Sequence, residues 1–218
     1  MFDAVARNFW FLMGGLGVTF QLSFFALSGG IFLGLLVGLA RLSKNPWIYY
    51  PVTAYVNILR NIPLILVIFW FYFVMPILVG RAIDPFPSAV VSFIVFEATY
   101  FGEIFRAGYQ TISKDLINAS YSTGMTYWQT ARYISIPIAF RRMLPSLITQ
   151  SIVTFQDTSL AFVIGLRELV RRVSIVDNLE VRSIQLYGFA ALVYLVICFL
   201  GSRLSRHFEE KSRKANIL

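Results

Sequence analysis

The 25 residues from Leu16 to Ala40 contain no Asp, Glu, Lys or Arg. At 1.5 Å per residue they make a helix of about 38 Å, longer than the ~30 Å hydrocarbon core of a bilayer. Four further apolar runs follow, at about Tyr49–Leu78, Ser88–Ala107, Leu147–Leu166 and Tyr187–Leu200. They are continuous rather than alternating, so the expectation is an all-α integral membrane protein with five transmembrane helices, not a β-barrel. Composition agrees: 57% of the 218 residues are hydrophobic and only 14% are charged, against about 25% in soluble domains. The first run is long enough to span and has no basic segment before it, so it is read as a span and not as a cleaved signal.

Two of the runs carry internal structure. In the first, Gly30, Gly34 and Gly38 repeat every four residues, which lets another helix approach closely. The second is too long for one span. Its more polar start, 47–61, is expected to lie at the membrane face, with Pro63 breaking or kinking the chain into "LILVIFWFYFVMPIL".

Basic residues orient the chain. With the N-terminus outside and the C-terminus in the cytoplasm, twelve fall inside (Arg41, Lys44, Arg106, Lys114, Arg132, Arg141, Arg142, Arg203, Arg206, Lys211, Arg213, Lys214) and six outside (Arg7, Arg81, Arg167, Arg171, Arg172, Arg182). The net charge of +8 is therefore read as topology and lipid anchoring, with no nucleic-acid partner. One cysteine, Cys198, and one histidine, His207, make neither a disulfide nor a metal site. No G-x-x-x-x-G-K-[ST] phosphate loop is present, so any ATP hydrolysis belongs to another chain.

The orientation leaves residues 109–144 as a long polar cytoplasmic loop, uncommon between spans unless it has a use. Within it, "NASYSTGMTYWQTARYISIP" reads as a helix starting near Ala119–Tyr121, a turn at Gly124, and a second helix carrying Trp128 and Tyr133 that Pro137 stops or redirects before the fourth span. Such a knob suits docking into a groove on a cytoplasmic partner.

These residues carry a family resemblance. Asn118-Ala119-Ser120, then Gly124, then Ile134-Ser135-Ile136-Pro137, resembles the E-A-A-x-x-x-G … I-x-L-P loop of bacterial ATP-binding cassette importer permeases, with Asn118 in place of Glu and Ile136 in place of Leu. "RNIPL" (60–64), "GEIFRAGYQTISK" (102–114) and "QDTSLAFVIG" (156–165) resemble three further motifs of the polar amino-acid permeases, in the same order. The glutamate/aspartate branch is the nearest in look. The resemblance implies one MetI-like transmembrane domain over 1–218 in a bacterial inner membrane, with Asn118, Ala119, Ser120, Gly124, Ile134 and Pro137 coupling it to two ATPase subunits. Those subunits would hold ATP and magnesium, leaving this chain without a cofactor or catalysis of its own. A second permease, related or identical, and an extracytoplasmic substrate-binding protein complete the implied assembly. Asn118 in place of the acidic residue favours a related, non-identical second permease.

The candidate substrate path starts from Asp157, since a carboxylate inside an apolar span faces a cavity or a partner. Ser146, Gln150, Thr154 and Asp157 step by four, four and three, one face of a helix. Asp157 suits a substrate ammonium, with Gln150, Thr154, Thr158 and Ser159 as neutral hydrogen-bonding groups; the alternative is a structural Asp that caps or pairs with a buried cation. A second face carries Asn57 and Arg60, where Arg60 meets a substrate carboxylate, pairs with Asp157 or snorkels to phosphate. Glu103 and Arg106 form an i,i+3 pair. Glu97 is deeper and sits uneasily with an acidic substrate, which keeps basic or other polar amino acids as the alternative. Two other classes remain: an intramembrane aspartyl enzyme, which would need Glu97 and Asp157 to share a proton, and a stand-alone secondary transporter or channel subunit, for which no inverted repeat is visible.

Overall fold

The computed structural model describes residues 3–215, and every regular element among them is helical. The side chains of Arg206, His207, Lys211, Arg213 and Lys214, read above as a basic tail, lie outside the described part. The helices are α1 (Asp3–Arg7), α2 (Phe9–Ala40), α3 (Pro46–Arg60), α4 (Leu64–Phe69), α5 (Met75–Val79), α6 (Pro85–Gln110), α7 (Lys114–Ser122), α8 (Tyr127–Thr130), α9 (Ile136–Asp157), α10 (Leu169–Glu180) and α11 (Ser183–Ala215). Four continuous helices are long and apolar enough to cross a membrane: Phe9–Ala40, Pro85–Gln110, Tyr127–Ile164 and Ser183–Arg203. The pair Pro46–Arg60 and Leu64–Val79 meets the same length and hydropathy test only when taken together as one broken span, bent by 106° at the Asn61–Pro63 break, which brings the candidate crossings to as many as five. The elbow expected at Pro63 is there, because proline cannot continue the ladder and forces its predecessor extended.

The seam between α2 and α6 organises the bundle. Gly30, Gly34 and Gly38 face Glu97, Phe101 and Gly102 so closely that a Cβ on Gly38 would lie 2.8 Å from the Gly102 carbonyl oxygen. The four-residue glycine repeat thus has its partner helix. Around this seam Leu22, Ile68, Phe93, Phe96 and Ala161 form one buried cluster. A second, Leu12, Leu169, Val173, Val176, Leu186 and Ala190, joins α2, α10 and α11.

Three boundaries differ from expectation. The first span begins at Phe9, not near Leu16, because Gly14 and Gly15 do not break it but let Arg172 and Leu169 of α10 pack against it. The fifth extends at both ends, from Ser183 to beyond Leu200. The largest difference concerns the loop. Pro137 does not stop a helix: Tyr127–Ile164 is one continuous helical stretch, so the second helix of the knob runs directly into the helix of the fourth span. A π-helical turn at Ala131–Ser135 makes this possible. Proline lacks an N–H and its ring crowds the carbonyl four residues back, here Tyr133; widening that turn absorbs both defects. The same device recurs before Pro76, where Trp70–Val74 is π-helical.

Candidate functional site

Glu97 on α6 is fully buried, and its carboxylate accepts a 2.9 Å hydrogen bond from Gln150 Nε2 on α9. Its second oxygen, Oε1, is buried without a partner. Thr154, one turn on, is also buried; its hydroxyl donates to the Gln150 carbonyl at 2.9 Å and lies within reach of the Glu97 carboxylate. Asp157 continues the stripe, half-buried and without an ion pair among the described residues, near enough for its charge to act on Glu97. The stripe read from the 4-4-3 spacing is therefore matched by a carboxylate on the facing helix.

The two other neutral candidates diverge. Thr158 is buried at the start of a 3₁₀ segment, Thr158–Ile164, and donates to the Phe155 carbonyl at 2.6 Å, while Ser159 is half-buried. Gln150 and Ser146 also line a polar cavity of about 380 Å³ with Ile104, Pro145, Thr149 and Ser205. Ser146 further borders one of about 240 Å³ with Glu103, Thr111 and Arg142. A string of openings thus follows the α6–α9 seam from Gln150 toward α7. A larger cavity of about 550 Å³ at the α3–α4 elbow is walled by Tyr55, Leu59, Leu66, Trp70 and Phe71 and is almost wholly apolar. It offers few polar groups to orient a polar ligand, so the α6–α9 seam is the better candidate.

Arg60 and Asn57 do not join this stripe. Both are exposed; the Arg60 guanidinium lies 5.0 Å above the Tyr100 ring, and the Asn57 carbonyl accepts from Asn61. Of the three readings of Arg60, pairing with Asp157 is absent among the described residues and an aromatic stack replaces it. Glu103 does bind Arg106, as its spacing predicts, and also Arg41 from the end of α2, which no local pattern in the sequence announces.

The α7–α8 knob is a compact turn. Ser113 caps α7, which begins at Lys114 rather than near Ala119 because that cap is available. Gly124 takes φ +84°, and Thr126 with Gln129 forms a capping box that starts the next helix. Ser120 and Thr130 share a buried 3.0 Å hydroxyl contact that clamps the two helices. Asn118, Ala119 and Gly124 are exposed, Ile134 and Pro137 half-buried. Tyr127, Trp128 and Tyr133 stand out from the knob, Trp128 with 78% of its surface free.

Two carboxylates at the opposite end of the fourth span escaped the sequence reading. Glu168, fully buried, caps α10 by accepting from the Val170 and Arg171 amides at 2.9 and 2.6 Å. Glu180 accepts from Arg7 and from Asn8, tying α10 to α1 and the start of α2. The signal available for Glu168 was its place just before the apolar i, i+4, i+7 pattern of Leu169, Val173 and Val176.

Residues 30–214 match the family described as binding-protein-dependent transport system inner membrane component. The chain is 37% identical over 209 residues to the glutamate/aspartate import permease protein GltK of Escherichia coli, covering 93% of each. It is 33% identical over 204 residues to the glutamine transport system permease protein GlnP of Escherichia coli, again 93% of each. With the L-cystine transport system permease protein TcyB of Bacillus subtilis it shares 34% over 212 residues, 96% of this chain and 90% of that one. Among solved structures, an amino acid ABC transporter crystallised with histidines superposes with a TM-score of 0.90 at 28% identity, over 97% of this chain and 98% of that one. The chain belongs to the binding-protein-dependent inner-membrane transport family. It is a multi-pass inner-membrane permease subunit with the MetI-like fold, and in such systems partner subunits hydrolyse the ATP.

Proposed function

We propose that this chain forms, with a second permease subunit, the translocation path for a polar amino acid, glutamate or aspartate first, received from an extracytoplasmic substrate-binding protein. Two ATPase subunits dock on the cytoplasmic knob around Asn118–Gly124 and Trp128, with the N-terminus outside and the C-terminus inside. The observation that carries this reading is the Glu97–Gln150 contact continuing to Thr154 and Asp157, a buried polar seam beside the cavities that lead toward the knob. Asp157 and the unpartnered oxygen of Glu97 suit the α-ammonium common to all amino acids. Gln150 and Thr154 hold Glu97 in place, and Thr158 and Ser159 open the segment beyond.

The acidic choice rests on the resemblance to the glutamate/aspartate permease. A basic or neutral polar substrate is the second reading, favoured by a stripe with two carboxylates and, among the described residues, no paired cation. The deciding experiment reconstitutes the complex with its binding protein and measures transport and ATP hydrolysis across a panel of amino acids, for wild type and Asp157→Asn. Stimulation by glutamate or aspartate, with a variant that hydrolyses ATP but no longer transports, supports the reading. A variant equal to wild type for every substrate would remove Asp157 from the path, and stimulation by lysine, arginine or glutamine alone would replace the substrate.

A further inference from the structure

The seam described above makes no use of Glu168, yet this side chain has no exposed surface and sits where four elements meet. Its carboxylate holds the first two free amides of α10. The next residue's amide, Leu169 N, donates to Thr19 Oγ1 of α2 at 3.3 Å. The Tyr194 hydroxyl of α11 is buried beside Glu168, Thr19 and Thr158, with no hydrogen bond within the ordinary distance limit. Thr158 is the residue after Asp157 and opens the 3₁₀ segment. That segment ends at Gly165, in a left-handed conformation at φ +81°, three residues before Glu168. Asp157 thus directly precedes this short 3₁₀ segment, and Glu168 lies three residues past its Gly165 end.

A serine or asparagine would cap α10 without burying a charge. We propose that Glu168 is a positioning residue for transport: through Thr19, Thr158 and Tyr194 its carboxylate fixes the Thr158–Ile164 segment, and with it Asp157, in the geometry that couples transport to ATP hydrolysis, and a proton taken up by Glu168 releases it. This rests on the importer reading above. Burial pushes Glu168 up to about 7, against the opposing pull of the Val170 and Arg171 amides and of Tyr194. Both forms are therefore present at neutral pH, and the protonated form is the poorer acceptor for the Val170 and Arg171 amides that donate to it. Of the groups from packed elements, the Tyr194 phenol of α11 lies beside the carboxylate, and Thr19 of α2 and Thr158 of the 3₁₀ segment, which do not titrate, lie beside that phenol. Along its own chain Arg167 precedes Glu168, and Arg171 and Arg172 follow it.

The test is the number of substrate molecules moved per ATP in proteoliposomes holding the whole complex, with the external pH varied from 5.5 to 8. Wild type is expected to lose coupling as pH falls, by about threefold between pH 8 and pH 6, where the protonated fraction rises from about a tenth to about nine-tenths. Glu168→Gln should give a flat profile near the low-pH level, with basal ATP hydrolysis unchanged. Tyr194→Phe removes only the hydroxyl that supports the charged form, and should move the midpoint to higher pH. A flat wild-type profile, or a Glu168→Gln protein that keeps the wild-type profile, overturns the proposal; if Glu168→Gln does not assemble, an unmoved midpoint in Tyr194→Phe does so instead. These outcomes are independent of whether Asp157→Asn transports, so the two readings fail separately.

Discussion

Gly38→Ala is the sharpest perturbation of the α2–α6 seam. The added Cβ would lie 2.8 Å from the Gly102 carbonyl oxygen, 2.9 Å from Phe105 Cβ and 3.4 Å from Arg106 N. Two of these three are backbone atoms, so no side-chain rotation relieves the clash and the helices must separate. Overpacking of this kind costs about 1–3 kcal/mol. The substitution also gains helix propensity, about 0.8–1 kcal/mol, which would hide part of the loss. Gly17→Ala on the same helix supplies the control, since a Cβ there meets nothing within 4 Å and gains the same propensity. The difference between the two variants therefore isolates the clash, at about 1–3 kcal/mol. Thermal unfolding of the assembled complex in detergent measures it: Gly17→Ala should match or exceed wild type, and Gly38→Ala should fall clearly below Gly17→Ala. Equal midpoints would refute the close approach of α2 and α6 at this level. The Arg41–Glu103 contact lies just beyond Gly38, so the same separation should weaken that ion pair.

Gly124→Val should cost the knob about 1–2 kcal/mol, because the position holds φ +84° with open space around it, so the penalty is backbone strain alone. Substrate-stimulated ATP hydrolysis should drop in that variant and largely return in Gly124→Asn, the side chain that best tolerates this conformation. The Arg7 and Asn8 hydrogen bonds hold the Glu180 carboxyl below its ordinary value. A depressed carboxylate adds stability that is present above the unfolded value of about 4.3 and is lost as pH falls through the folded one. Hydrogen exchange of α1 should therefore accelerate in acid below that range, and Glu180→Gln should exchange fast at every pH; unchanged protection in the variant would show that α1 is held by packing alone.

Much of this architecture was legible because membrane spans announce themselves through length and hydropathy, and the Gly30–Gly34–Gly38 repeat announces a close neighbour. The polar stripe and the Glu103–Arg106 pair were legible for the same reason: both are local spacings on one helix. What the sequence hid was long-range or compensated. Arg41 lies 62 residues from Glu103, and nothing near either shows the pairing. Arg60 offered three partners by charge; among the described residues it does not pair with Asp157, and its guanidinium lies over the Tyr100 ring, a contact no charge pattern announces. Glu168 sits in a short segment between spans that hydropathy treats as solvent-exposed, and only the packing of α2, α10 and α11 buries it. Pro137 reads as a stop or a redirection because proline removes a donor, and a π-turn, which costs one residue of register and lets the helix continue, is not visible in residue type.

That continuity bears on how a partner docked on the knob, as proposed above, would act. A separate helix-turn-helix knob would need a joint to pass motion to the membrane, and the joint would absorb part of it. Here the second helix of the knob runs on without a break into the helix of the fourth span. Trp128 and Tyr133 stand at one end of Tyr127–Ile164, Gln150, Thr154 and Asp157 lie along it, and the 3₁₀ segment leads from its far end toward the buried Glu168 cap. The Ser120–Thr130 contact and the Thr126 capping box fix α7 to this same rod. A partner pushing on the exposed aromatic face thus acts on the element that carries the polar stripe. Packed cores shift between discrete arrangements rather than stretch, so such a push would move Gln150 against Glu97 as a unit.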